Sequence, residues 1–330
     1  MKKILVTGGA GYIGSHTVVE LSAAGYTPII IDNLSNTSTK NIEGIEKIIG
    51  TKIKWYNTDC TNKVDMQKVF TKEENIEGVI HFAAYKTVEE SVHNPQKYYD
   101  NNVGSLKVLL ECMRENMVKL MIFSSSCTVY GMPDILPVDE NAPFKKAESP
   151  YGETKQICED ILKKDSCNSV SLRYFNPIGS HTTALIGDCS ANSPSNLVPM
   201  ITEVANGKRE KITVFGNDYN THDGTCIRDY IHVVDLAKSH VKAMNFLVKD
   251  PGKHAFNIGT GIGVSVLDAI KAFEKTNNIK IKYSIGARRS GDIEKIYANG
   301  RLVKVKLDWE AKESLEEAMK SAWEWEKRKK

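Results

Sequence analysis

The sequence predicts an α/β fold: a doubly wound parallel sheet with helices on both faces, joined to a smaller mixed α/β lobe. Three observations carry that expectation. Short apolar, β-branched runs alternate with amphipathic stretches through the first half. Two of the runs, GVIHFAA and KLMIFSS, are nearly continuously apolar, as strands buried on both faces must be. After Asn176 the rhythm breaks, and Gly, Ser, Thr and Asp become frequent.

Strands are expected at Ile4–Val6, Pro28–Ile31, Ile53–Tyr56, Val79–Phe82, Leu120–Ser124 and Val170–Tyr174. Helices are expected between them, at Ile13–Ala24, Val64–Thr71, Tyr98–Asn116 and Pro150–Lys164. Strands linked by crossover helices pair in parallel and place helices on both faces. The stretch Asn176–Asn192 reads as a long loop. Beyond it come a helix at Leu197–Asn206, a strand at Ile212–Phe215, the irregular run GNDYNTHDGT, and helices near Val266–Thr276 and Ser314–Glu326. The expected division is residues 1–175 and 176–330, an approximate boundary that the chain is free to cross more than once. The second lobe should cap the carboxyl edge of the sheet, where open α/β sheets bind ligands.

Composition narrows the function classes. A formal charge of +3, from 44 Lys and Arg against 41 Asp and Glu, does not suit a nucleic-acid partner. Seven cysteines without a C-x-x-C pair argue for free thiols and a cytoplasmic setting. Eight histidines with no H-x-x-x-H or H-x-H spacing give no support for a metal site. The opening MKKILV loses its apolar run at Val6, and no later stretch is long and apolar enough to span a membrane, so no membrane partner is expected.

The strand ILV, the loop TGGAGYIG and a following helix form a dinucleotide-binding fingerprint in its required context. Gly8 permits the tight turn, Gly11 lets backbone approach a pyrophosphate, and Gly14 allows the helix to pack closely on the strand. A bare glycine turn is the plain alternative. Against it, the second strand ends in IIIDN, placing Asp32 where a carboxylate would accept ribose hydroxyls and repel a 2′-phosphate. A Rossmann-type lobe holding NAD rather than NADP follows.

In SPYGETK, Ser149 and Pro150 explain a helix start but do not require Tyr151 four residues before Lys155. Side chains at that spacing share a helix face. A tyrosine of ordinary pKa near 10 is a poor base at neutrality. A lysine ammonium about 5 Å away, at an effective dielectric near 20, favours the phenolate by roughly 3 kcal/mol. That is about two pKa units, so Lys155 is expected to draw Tyr151 toward neutrality. In FSSSCTVYG, at a strand end, Ser126 is the hydroxyl expected to bridge substrate oxygen and Tyr151.

With these elements in order, the chain resembles the extended short-chain dehydrogenase/reductase family, and within it the enzymes that invert a UDP-hexose at C4. The likeness runs over nearly the whole length and includes DNLSN, HFAAYKTVEESV, YYDNNVGSL, SSSCTVYG, SPYGETK, RYFNPIGSH, VFGNDYNTHDGTCIRDYIHVVDLA and RRSGDI. It implies tightly bound NAD, regenerated each cycle, and UDP-glucose and UDP-galactose as substrates. It implies Tyr151 as the base, Lys155 as its electrostatic partner and Ser126 as the bridging hydroxyl. NAD contacts are implied at Tyr12, Ile13, Asp32, Asn33, Asn36, Asp59, Cys60, Phe82, Ala83, Ala84, Lys86, Asn101, Ser124, Tyr151, Lys155 and Phe175. UDP-sugar contacts are implied at Lys86, Ser126, Tyr151, Asn176, Asn196, Leu197, Thr213, Phe215, Arg228, Arg289, Asp292 and Ile296. Guanidinium donors suit a diphosphate, and Arg228 and Arg289 are both expected in loops. A homodimer through helices near Tyr98–Asn116 and Pro150–Lys164 is implied as well.

Two departures bear on that likeness. Tyr85 stands where many relatives carry Leu, and should change the packing near the nicotinamide. Ile296 stands where a tyrosine narrows the sugar pocket and a small residue admits N-acetylated sugars, which leaves N-acetylhexosamine activity open. Two rival functions share the fold. A nucleotide-sugar 4,6-dehydratase needs an acidic pair after the strand-end hydroxyl, where this chain has Cys127 and Thr128. A silent NAD sensor would lack Tyr151 or Lys155, and both are present.

Overall fold

The structure, a computed structural model, describes residues 2–191, 194–289 and 292–329. Its frame is a seven-stranded sheet in the order β10-β6-β5-β4-β1-β2-β3, built from β1 (Lys3–Thr7), β2 (Thr27–Asp32), β3 (Lys54–Asn57), β4 (Ile76–His81), β5 (Leu120–Ser126), β6 (Asn168–Tyr174) and β10 (Lys253–Ile258). Every pairing in it is parallel. The helices of the first half are α1 (Tyr12–Ala23), α2 (Lys40–Ile49), α3 (Lys63–Lys72), α4 (Val88–His93), α5 (Pro95–Tyr98), α6 (Gly104–Glu115) and α7 (Pro150–Lys164).

Strand side chains alternate between faces, so each strand feeds two cores. Ile4, Val6, Ile30, Ile80 and Ile122 pack under α1 and α2 and under two helices from the second half, α9 (Val233–Lys249) and α11 (Arg301–Leu307). Leu5, Ile29, Ile31, Val79, Met121 and Phe123 pack under α3, α6 and α7. Burial on both faces is why these strands are apolar without interruption.

The second lobe holds β7 (Asn176–Ile178), β8 (Ile212–Phe215), β9 (Ile227–His232), β11 (Gly263–Ser265), β12 (Tyr283–Gly286) and β13 (Lys295–Ile296). With them go α8 (Leu197–Ala205), α10 (Val266–Asn277) and α12 (Leu315–Arg328). Strand β9 pairs with β7, β11 and β13, while β8 pairs with β12. Ser265 and Ser314 cap α10 and α12 by accepting from Asp268 N and Glu317 N.

The structure departs from the sequence expectations at several points. The seventh strand of the large sheet, β10, and its covering helix α9 come from beyond residue 175, a return crossing that the sequence left open. The helix expected at Tyr98–Asn116 is broken by a π turn at Tyr99–Val103 between α5 and α6. Inside that turn the Asn102 amide binds the Tyr85 backbone, donating to its carbonyl at 3.1 Å and accepting from its N–H at 2.9 Å. π turns of this sort gather at functional sites. The expected loop Asn176–Asn192 opens with β7, because Asn176–Ile178 finds β9 as a partner, and its last residue lies outside the described residues. Arg228 belongs to β9 rather than to a loop. No helix among the described residues is long and apolar enough to cross a membrane.

Candidate active site

The strands end along one edge, and the loops leaving β1, β2, β4, β5 and β6 line a cleft of about 320 Å³. All the residues expected to meet NAD line it, from Gly8 and Asp32 to Lys155 and Phe175. Gly8 sits at φ 69°, and a Cβ there would come within 2.8 Å of Ala83 N. A Cβ on Gly14 would come within 2.2 Å of the Gly8 carbonyl. Helix α1 begins with no side-chain cap and no acidic residue in its first turn. Its first N–H groups therefore face the cleft as an anion site.

Asp32, at the end of β2, is buried, and burial pushes its pKa up while the bonds from Leu34 and Ala10 pull it back. One oxygen accepts from Ala10 N at 3.0 Å and the other from Leu34 N at 2.9 Å. Each keeps a lone pair for a hydroxyl donor. Asn33 donates to Asp59 at 2.9 Å, fixing the β2 and β3 ends to each other. Lys86 lies 3.7 Å from Asp188 across the cleft mouth. The buried Oδ1 of Asn36 has no protein partner. An uncapped helix start, glycines at 8 and 14 with no room for a side chain and a buried carboxylate at the end of β2 all fit a dinucleotide.

Ser149 caps α7 by accepting from Gly152 N at 3.2 Å, with Pro150 in the first turn. Tyr151 and Lys155 follow on the face turned to β5. Lys155 is 3% exposed, and its Nζ donates to the Ser124 carbonyl at 2.6 Å. The same Nζ is 5.8 Å from the centre of the Tyr151 ring. Burial pushes Lys155 down to about 8. Tyr151 does not move toward neutrality as the sequence led us to expect: burial pushes its phenol up to about 12, against the pull of a hydrogen bond to the Ser126 hydroxyl. A lysine bonded to a carbonyl, with its own charge desolvated, does not overcome that burial in the protein alone.

A second cleft of about 210 Å³ joins the first at Asn176, Pro177 and Asn196. Asn176, Asn196, Leu197, Thr213, Phe215, Arg228, Arg289 and Asp292 line it. Arg228 pairs with Asp292 at 2.6 Å, whereas Arg289 lies 4.4 Å above the Phe215 ring. The Asn176 Oδ1 is buried without a protein partner where the two clefts meet. Ile296 lies behind the wall, 2% exposed, in one cluster with Cys127 and Phe175. Tyr85 lines the first cleft at its backbone clamp, and Lys97 Nζ lies 4.1 Å over its ring.

The sequence did not single out Thr128, whose buried Oγ1 also lacks a partner and which lines the first cleft. Its place two residues after Ser126 was the available sign. His222, Asp223 and Asp268 bring their ligand atoms within 4.8 Å of one another in the second lobe. Asp268 is shared with Lys271 and His222 is exposed, so the trio reads as a surface charge network.

A model of the NAD dependent epimerase/dehydratase family matches residues 4–259. The UDP-glucose 4-epimerase of Pasteurella multocida (strain Pm70) is 49% identical over 98% of this chain and 97% of its own length. The solved UDP-glucose 4-epimerase from Bifidobacterium longum, in complex with NAD+ and UDP, is 44% identical. It superposes with a TM-score of 0.96, covering 99% of this chain and 98% of that one. The UDP-glucose-4-epimerase from Stenotrophomonas maltophila, with bound NAD and formylated UDP-arabinopyranose, gives the same TM-score at 41% identity, with 99% and 98% covered.

Proposed function

We propose that this chain, which belongs to the NAD dependent epimerase/dehydratase family, interconverts UDP-glucose and UDP-galactose by inverting C4 of the hexose. The observation that carries this reading is the meeting of two clefts. One is shaped for a dinucleotide and also lined by Ser126, Tyr151 and Lys155, and the other is lined by two guanidinium groups.

The cofactor is NAD, held by the glycine loop, the start of α1, Asp32 and the β4 end. Bound there, NAD supplies a reversible two-electron acceptor for the sugar C4. Tyr151 takes the C4 hydroxyl proton as the phenolate, the form that the Lys155 ammonium and a bound cationic cofactor would favour, and later returns it. Ser126 bridges the substrate oxygen and that phenol. Lys155, anchored on Ser124, holds a positive charge beneath the pair, and a cationic cofactor adds to it. Arg228 and Arg289 grip the diphosphate, the former pre-set by Asp292. Anchoring by the diphosphate leaves the hexose few fixed contacts, as presenting both faces of C4 to one tyrosine demands. Asn176 and Thr128 offer unpaired oxygens to its hydroxyls. The net change is isomerisation.

A 4,6-dehydration would need an acid–base pair after Ser126, and burial holds the Cys127 thiol at about 12. Cytoplasmic residence suits seven free thiols. A homodimer through α6 and α7 suits the half-buried Val108, Ile157 and Ile161 that these helices carry. The decisive experiment mixes purified protein with UDP-galactose and no added NAD, and follows UDP-glucose. Folded protein that contains NAD yet forms no UDP-glucose sinks the reading. UDP-N-acetylgalactosamine run in parallel decides the effect of Ile296.

A further inference from the structure

Helix α7 carries a third side chain in the row of Tyr151 and Lys155. Glu159 lies four residues beyond Lys155 and eight beyond Tyr151, so the three project along one face. Three consecutive serines at the end of β5 meet that row. Ser126 draws the Tyr151 phenol down against burial, the Ser124 carbonyl accepts from Lys155 at 2.6 Å, and the Ser125 hydroxyl donates to Glu159 at 2.6 Å.

Glu159 is 2% exposed, and Arg173 clamps it with Nε to one oxygen at 2.9 Å and Nη2 to the other at 2.7 Å. Arg173 stands opposite Ser125 in the β5–β6 register. Its Nη1 donates to the Tyr130 hydroxyl at 2.8 Å and the Glu140 carbonyl at 3.1 Å, and Tyr130 passes its proton bond to Asn257 in β10 at 2.7 Å. One saturated network thus joins α7 to three strands.

Apolar side chains of the same volume would stabilise this interface at least as well as a buried ion pair. They would not fix how far α7 sits along β5. A saturated bidentate pair fixes it, because any slip leaves buried charge unpaired. We propose that Glu159, clamped by Arg173, is a positioning residue that sets the register of α7 on β5 and so places Tyr151 and Lys155 for proton transfer. The inference rests on the epimerase reading above. Glu159 also supplies charge. Lys155 is faced by Tyr151, Cys158 and Glu159 of its own helix and by His81 of β4, and burial holds His81 at about 3 and hence neutral. Glu159 is the anion in that set that favours the ammonium.

The test uses full-length NAD-containing protein and the variants Glu159→Gln, Glu159→Asp and Ser125→Ala. It reads kcat and KM for UDP-galactose, the pH profile of kcat, NAD content and melting temperature. Glu159→Gln should lose roughly 10- to 100-fold in kcat with KM little changed, the scale of a small misplacement of reacting groups. Its alkaline limb should move to lower pH. Glu159→Asp should restore the limb but not the full kcat. Ser125→Ala leaves the ion pair intact and should fold, with kcat down by about 3- to 10-fold, the scale of one hydrogen bond. A Glu159→Gln protein that turns over like the parent per NAD-containing molecule, with an unmoved profile, overturns the proposal. If Glu159→Gln does not fold, unchanged kcat in both other variants overturns it. An active parent with indifferent variants fails this proposal alone, while a parent inactive on UDP-galactose fails the reaction and the proposal together.

Discussion

Lys155 is anchored on the Ser124 carbonyl oxygen, 2.6 Å from its Nζ, and not on the tyrosine one turn before it. The lysine is therefore fixed on the strand end, with its Nζ 5.8 Å from the centre of the Tyr151 ring. Lys155 is buried and Tyr151 half-buried, and desolvation pushes each toward its neutral form, the phenol up to about 12 and the ammonium down to about 8. The pair is poised against solvation, so a bound cation or a substrate oxyanion can tip it.

A pH dependence follows. Lys155 loses its charge as pH rises through about 8, so kcat for UDP-galactose should fall on the alkaline side of that value. Stability moves the other way. The unfolded chain keeps this proton up to the ordinary value of 10.5, so unfolding takes up a proton between 8 and 10.5 and stability from this group rises with pH across that window. A kcat profile still climbing at pH 9, or a Lys155→Met variant with the parent's stability slope there, would contradict this assignment.

Tyr151→Phe removes one oxygen and keeps the ring, so the fold and NAD content should stay as in the parent. Turnover should drop by about 10²- to 10⁴-fold, the range of a lost general base. Near-parental kcat in that variant would remove Tyr151 from the proton path.

Much of this was legible because the chemistry is local. The glycine loop and the Tyr151–Lys155 spacing each lie within one turn or helix, and Asp32 was marked by ending the strand that follows. The π turn at Tyr99–Val103 was not legible, since the Asn102–Tyr85 bonds made inside it span 17 residues. Nor was β10, a strand drawn into the large sheet by its place beside β6. The direction of the Tyr151 shift was misjudged because spacing shows a nearby lysine but hides the burial that opposes it.

Asp32→Ala should weaken NAD binding by about 10- to 100-fold, the scale of one or two charge-assisted hydrogen bonds. It also frees Ala10 N and Leu34 N, so a modest fall in melting temperature should accompany the loss. Discrimination against NADP should relax, since the carboxylate that repels a 2′-phosphate is gone. Calorimetric titration of both dinucleotides into stripped protein measures this, and an unchanged NAD to NADP ratio would remove Asp32 from its role.

Gly14 and Gly11 should differ sharply although both belong to the fingerprint. A Cβ on Gly14 would meet the Gly8 carbonyl at 2.2 Å and Gly9 Cα at 2.8 Å, backbone on both counts, so α1 must move off β1. Gly14→Ala should therefore cost about 3 kcal/mol or more, by overpacking that cannot relax. Gly11 has an ordinary φ of −72°, and a Cβ there meets only the Gly8 carbonyl at 3.1 Å. Gly11→Ala should fold near the parental melting temperature yet retain less NAD, because the added methyl stands where the pyrophosphate approaches. Equal loss of stability in the two variants would mean that the glycine loop is shaped by packing alone, with no ligand constraint at Gly11.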